Sequence, residues 1–228
     1  MRRSFVPAAF LAAAVLTGAH AWQALVAAAD HPDDRHLLLA LYAVLRTAVV
    51  LAFAAFTVRR AEPHRRSRDP VAFAACALAV LAVFGMAEPS PRTAQLLLAT
   101  GDAVAVLGCI WQLVSVLALG RCFGLLPEAR GLVRRGPYRL VRHPVYLGEI
   151  AALAGLTIAA PVPRTLVLLA VLVGAQLVRA RYEERALAEA FPDYIGYMET
   201  TGRLLPALRR RAVAPVATDP ATAHAING

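Results

Sequence analysis

Long apolar runs separated by short polar stretches set the pattern of this chain. The runs lie at 5–29, 37–58, 71–87 and 94–119, then at about 144–160 and 164–180. About 20 apolar residues are enough to carry a helix across a bilayer core. The pattern therefore predicts an all-α, polytopic transmembrane helix bundle with about six spans. Pro161-Val162-Pro163 is a tight reversal, so the last two spans form a helical hairpin. A helix over 164–180 would cover about 25 Å, slightly less than a typical hydrocarbon core. Pro144 suits the first turn of a helix, where its missing N–H costs nothing.

The first run follows Met1-Arg2-Arg3, and Ala19-His20-Ala21 resembles a signal-peptide cleavage site. The run is longer than the apolar part of a usual signal peptide, and further spans follow. An uncleaved first span is the expected reading. Two charges interrupt the runs. Arg46 falls in the middle of the second and should face the bundle interior. Asp102 falls early in the fourth and is expected to delay the start of that span.

Composition agrees with a membrane chain. Of the 228 residues, 59% are hydrophobic and 17% charged, against about 45–50% and about 25% in soluble domains. The formal charge is +9, and all 24 basic residues are arginine. Without lysine there is no Schiff-base or P-loop lysine chemistry. The arginines sit beside apolar runs, which points to retention at one membrane face rather than to nucleic acid. With the N-terminus cytoplasmic, six spans place loop 59–70, segment 120–143 and the C-terminal part together on the cytoplasmic side. Those segments hold most of the arginines, as the positive-inside rule requires. A bacterial-type inner membrane, with both termini cytoplasmic, is the expected location. Cys76, Cys109 and Cys122 have no paired metal spacing, and neither disulfides nor a metal site is expected. The divisions read from the sequence are N-terminal helices over 1–120, a core over 121–206 that includes the hairpin, and a disordered tail over 207–228 rich in Ala, Pro and Thr.

Two polar clusters stand out. The first runs from Gly136 to Gly148 and contains Tyr138, Arg142, His143, Pro144 and Tyr146. His143 precedes Pro144 at a helix N-terminus, where unpaired N–H groups favour an anionic or polar ligand. The two tyrosines offer flat faces suited to a heteroaromatic ring. The same residues would also suit an interfacial anchor of tyrosine and arginine. The second cluster begins at Arg179-Ala180-Arg181-Tyr182-Glu183-Glu184 and ends at Pro206. Arg179 and Glu183 share a helix face, as a substrate-binding pair or as an ordinary surface ion pair. The segment Phe191 to Tyr197, with Arg203-Leu204-Leu205-Pro206, could cover a pocket or form an amphipathic surface helix.

Taken together, the clusters read Gly-Xaa-Tyr…Arg-His-Pro-Xaa-Tyr-Xaa-Gly, an apolar hairpin, then Arg-Xaa3-Glu-Glu-Xaa2-Leu…Tyr-Xaa2-Tyr…Arg-Xaa2-Pro. Here these are Gly136, Tyr138, Arg142, His143, Pro144, Tyr146 and Gly148, then Arg179, Glu183, Glu184, Leu187, Tyr194, Tyr197, Arg203 and Pro206. The joint pattern closely resembles the isoprenylcysteine carboxyl methyltransferase family over about residues 120–206. The resemblance implies an integral membrane methyltransferase that uses S-adenosylmethionine at a cytoplasmic site. It implies that Tyr138, His143, Tyr146 and Glu183 hold the cofactor, that the stretch from Arg130 to Val133 (with Leu132 and Val133) touches it, and that Arg179 meets the substrate as the catalytic residue. The implied acceptor is lipid-like or amphiphilic, with a carboxylate first among its possible acceptor groups. Membrane lipids are the expected surroundings, with no nucleic acid and no required protein partner.

The chemistry suits these residue types. A carboxylate with a pKa near ~4.3 is ionised at neutral pH and needs no general base, and an arginine can orient it. An amine or thiol acceptor would need a proton removed by His143 or Glu183. No Gly-Xaa-Gly occurs in the chain, which argues against a Rossmann-type cofactor loop. Two other readings compete: an NADPH-dependent membrane reductase of related fold, and a non-catalytic lipid-binding membrane protein.

Overall fold

The computed structural model describes residues 5–207, except 60, 67–68, 85–89, 91, 125 and 127. The expected disordered tail lies outside the described residues beyond Ala207. The chain is mostly helical: α1 (Phe5–Asp30), α2 (Asp34–Arg59), α3 (Pro70–Phe84), α4 (Gln95–Leu119), α5 (Pro144–Ala159), α6 (Pro163–Ala190) and the short α7 (Tyr194–Thr200). Four of these, α1, α2, α4 and α6, are long and apolar enough to cross a membrane, while α3 and α5 are shorter apolar helices. The six apolar runs thus become four full-length candidate spans and two shorter helices. At 16 residues, α5 is about 24 Å long. Its ends are fixed by Pro144 and by a reversal in which the Thr165 hydroxyl donates to the Ala160 and Val162 carbonyls at 2.6 and 2.9 Å.

The closest packing in the molecule joins α4 to α5, running antiparallel. Cβ atoms added at Gly108 and Gly155 would lie 2.3 Å from the backbone nitrogens of Ala152 and Ala105. Gly101 and Gly148 face similar contacts, at 2.5 Å from Ala159 N and 2.7 Å from Gln112 N. Small residues of this kind let two backbones touch where no water can drive association. At one end of the seam the Trp111 indole N–H donates to the Pro144 carbonyl at 3.0 Å, which fixes the start of α5. On the outer surface, large apolar side chains such as Leu16, Trp22 and Leu81 remain more than half exposed, as expected of a face turned to lipid. With the apolar helices, this marks an integral membrane protein.

Two expectations need correction. Asp102 does not delay α4, which starts at Gln95. Its carboxylate is buried and paired with Arg35 of α2 at 3.4 Å, so the charge is compensated inside the bundle. The last span does not end near residue 180 either. Helix α6 continues to Ala190, because Arg179 to Ala190 holds good helix formers and no Gly or Pro before Phe191-Pro192.

Candidate active site

The second cluster extends beyond the bundle as the polar end of α6, and the first cluster folds against it. Gly136 takes a φ of 57°, a left-handed conformation open to glycine, and starts a 3-10 turn over Gly136–Arg139 that buries Tyr138. Val141 then pairs in parallel with Gly202. The Arg142 N–H donates to the Gly202 carbonyl at 2.8 Å and the His143 N–H to the Arg203 carbonyl at 3.0 Å. The segment after α7 therefore holds the loop that carries His143.

Tyr146 is the centre of the arrangement. Its hydroxyl donates to Glu183 Oε2 at 2.7 Å. Its ring stacks on His143, with centroids 5.2 Å apart and planes 6° from parallel. The Arg179 guanidinium lies over the same ring at 4.7 Å. His143 Nδ1 stands 3.8 Å from Glu183. The i, i+4 pair on α6 thus converges on one tyrosine of α5. A chain of hydrogen bonds then leads inward: Arg179 donates to Gln176 at 2.9 Å, and Gln176 donates to Glu149 at 2.6 Å.

The neighbouring Glu184 has a different part. It is buried and accepts from three groups: Arg142 Nε at 2.9 Å, Arg203 Nε at 3.1 Å, and His143 Nε2 at 3.1 Å. Arg142 also donates to the Met198 carbonyl at 3.0 Å and to the Thr201 carbonyl. Glu184 is therefore a clamp joining α6, the histidine loop and the C-terminal segment. Glu183, by contrast, keeps 28% of its side chain exposed, so it remains reachable from outside.

Tyr138 lies beside this centre. The Tyr197 hydroxyl of α7 donates to its carbonyl. Burial pushes the Tyr138 phenol up from its ordinary pKa and pushes Tyr197 up to about 12, so both stay protonated. Tyr194 of α7 is 1% exposed, and its hydroxyl is buried without a hydrogen-bond partner among the described residues. Leu132 and Val133 line a cavity of about 570 Å³ with Leu119, Cys122, Arg134 and Arg135. Arg130 pairs with Glu128 and donates to the Ala61 carbonyl, which fastens the 61–66 segment.

The structure thus brings His143, Tyr146, Arg179 and Glu183 together, with Tyr138 alongside. Nothing in the motif pattern marks Glu149 or Gln176, and the pattern names Glu184 and Tyr194 without a role. Polar residues inside apolar helices were the available signal for the first two.

Residues 92–194 match the model of the phospholipid methyltransferase family. The matched stretch contains the whole first cluster and the second as far as Tyr194, so it coincides with the motif resemblance. The chain is also similar to the cobalt-zinc-cadmium resistance protein CzcN of Cupriavidus metallidurans, with 32% identity over 111 residues, covering 47% of each chain. The aligned part of this chain therefore spans about half the length of that curated relative.

Proposed function

We propose that the chain is a membrane methyltransferase that moves a methyl group from S-adenosylmethionine to a lipid-like or amphiphilic acceptor, with a carboxylate as the accepting group. The observation that carries this reading is the convergence of His143, Arg179 and Glu183 on Tyr146, inside the stretch similar to phospholipid methyltransferases. The donor set fits the cofactor. His143, Tyr146 and Tyr138 supply aromatic surface, Glu183 an accessible carboxylate for an ammonium or sulfonium, and Tyr194 a buried hydroxyl with hydrogen-bonding capacity to spare. Leu132 and Val133 would contribute apolar contact from the segment before Gly136. When bound, the cofactor supplies an electrophilic methyl group on a positively charged sulfur.

Arg179 orients the acceptor carboxylate from its place over Tyr146, between the cofactor residues and the bundle interior. The hydrogen bonding favours an acceptor that needs no base. His143 Nε2 is engaged by Glu184, and Glu183 by the Tyr146 hydroxyl, so neither candidate base is idle. The family match supports a second acceptor, a phospholipid amine. The cofactor enters from the cytoplasm, where the arginine-rich segments lie. Purified protein in detergent should bind S-adenosylmethionine, and His143→Ala or Glu183→Gln should weaken binding by about tenfold or more. Mass spectrometry of membrane extracts made with and without the protein should reveal the acceptor as a methyl increment. Unchanged affinity in both variants would overturn the site.

A further inference from the structure

A cavity of about 350 Å³ lies among α1, α2, α3, α4 and α5, with Phe10, Phe53 and Leu153 among its apolar walls. That volume falls within the ~300–1,000 Å³ of pockets that take small ligands. Two charged side chains reach the chamber, Arg46 from α2 and Glu149 from α5. Glu149 is engaged through Gln176, which also accepts from Arg179. Its charge is thus balanced along that chain of bonds. Arg46 is less fully matched, since Glu149 lies within its electrostatic reach but shares its charge with Arg179. Among the described residues its hydrogen-bond partner is the Tyr42 hydroxyl, at a long 3.5 Å, and no carboxylate pairs with it.

An arginine keeps its proton at any physiological pH. A charge within a membrane span is ordinarily paired or turned to a polar ligand or water. Arg46 therefore presents a cation without an ion pair among the described residues to a largely apolar chamber, whose other charge, Glu149, is shared with Arg179. The chamber also meets the candidate site, because Glu149 lines it and connects through Gln176 to the Arg179 that covers Tyr146. A ligand that satisfies both features has an apolar chain and one anionic head group.

We propose that this chamber binds an anionic amphiphile and that Arg46 reads its head group. As the identity of the methyl acceptor, this rests on the methyltransferase reading; as a binding site, it stands apart from it. Glu149 faces the same chamber, so a cationic head group is the alternative that the test must separate.

Tritiated oleate is the probe, added to the purified full-length protein in detergent. Wild-type protein binds it, and oleyl alcohol and oleylamine compete at least about tenfold more weakly than oleate, because they lack the charge-assisted contact. Lysophosphatidic acid competes if the chamber accepts any anionic head, and its failure narrows the ligand to carboxylates. Arg46→Met lowers oleate affinity by about tenfold or more, and Arg46→Lys restores part of it. Ala13→Trp fills the chamber from α1 and lowers oleate binding with Arg46 intact, so it carries the test together with Arg46→Lys if Arg46→Met does not fold. Equal binding of oleylamine, or wild-type oleate affinity in Arg46→Met or Ala13→Trp, overturns the proposal. S-adenosylmethionine binding is measured on the same preparations. Arg46-dependent oleate binding without cofactor binding would keep this site and sink the methyltransferase reading.

Discussion

The Tyr146 hydroxyl donates a 2.7 Å hydrogen bond to Glu183, tying the first turn of α5 to the polar end of α6. Tyr146→Phe keeps the ring under Arg179 and against His143 but removes that bond. Affinity for S-adenosylmethionine should fall by about tenfold or more, as expected for a hydrogen bond to a charged group. The thermal midpoint should barely move. Equilibrium dialysis of the detergent-solubilised protein measures the first, and a melting curve the second.

Glu184 makes the opposite prediction. It holds Arg142, Arg203 and His143 while only 5% of its side chain is exposed. Glu184→Ala leaves two guanidinium groups without their shared anion. Removing one partner from a buried ion pair costs about 3–5 kcal/mol. The variant should lose most of its folded yield, whereas Glu183→Gln should purify normally. Size-exclusion profiles of the two variants decide between clamp and ligand contact. Equal behaviour would contradict the separate parts given to the adjacent glutamates.

The α4–α5 seam should tolerate no larger side chain. Gly108→Leu or Gly155→Val would drive a Cβ into backbone at 2.3 Å and should abolish the folded species. Gly174→Leu is the control, since nothing lies within 4 Å of its added Cβ and it sits on the exposed side of α6. Expression with fluorescence-detected chromatography reads all three.

Arg179→Lys keeps the charge but loses the flat group that covers Tyr146. Turnover should fall by about a hundredfold if the arginine aligns the acceptor, while cofactor affinity changes little. A larger effect on cofactor binding than on turnover would move Arg179 out of the acceptor's path.

Alkaline pH should loosen the C-terminal segment. The Tyr197 phenol is shifted by burial from 10.0 to about 12, and its hydroxyl donates to the Tyr138 carbonyl. The folded state therefore holds a proton that the unfolded state has lost between those values. The stability from this group is complete below pH 10 and declines as pH rises toward 12. The thermal midpoint should fall over that window, and less steeply in Tyr197→Phe.

Much of this was legible in the residues because punctuation and polarity were local. Pro144 marks the start of α5, Pro161-Val162-Pro163 the hairpin, and Arg179 and Glu183 their common face. The length of α6 was not, since the change from apolar to charged residues at Arg179 looks like the end of a span while the backbone simply continues as helix. Asp102 misleads for another reason: its partner Arg35 lies on a different helix, and pairing at that distance leaves no trace in either local sequence. The same applies to the division of labour between Glu183 and Glu184. Adjacent glutamates look alike until the 100° turn of the helix points one toward Tyr146 and the other toward Arg142 and Arg203.

The backbone pairing of Arg142 and His143 with Gly202 and Arg203 has a consequence for biogenesis. The histidine loop is braced by residues made long after it, so during synthesis the membrane helices can insert while the ligand cradle is still unformed. Competence would then arrive abruptly, once Arg203 is free of the ribosome, and a chain stopped in α7 would be inserted yet inert.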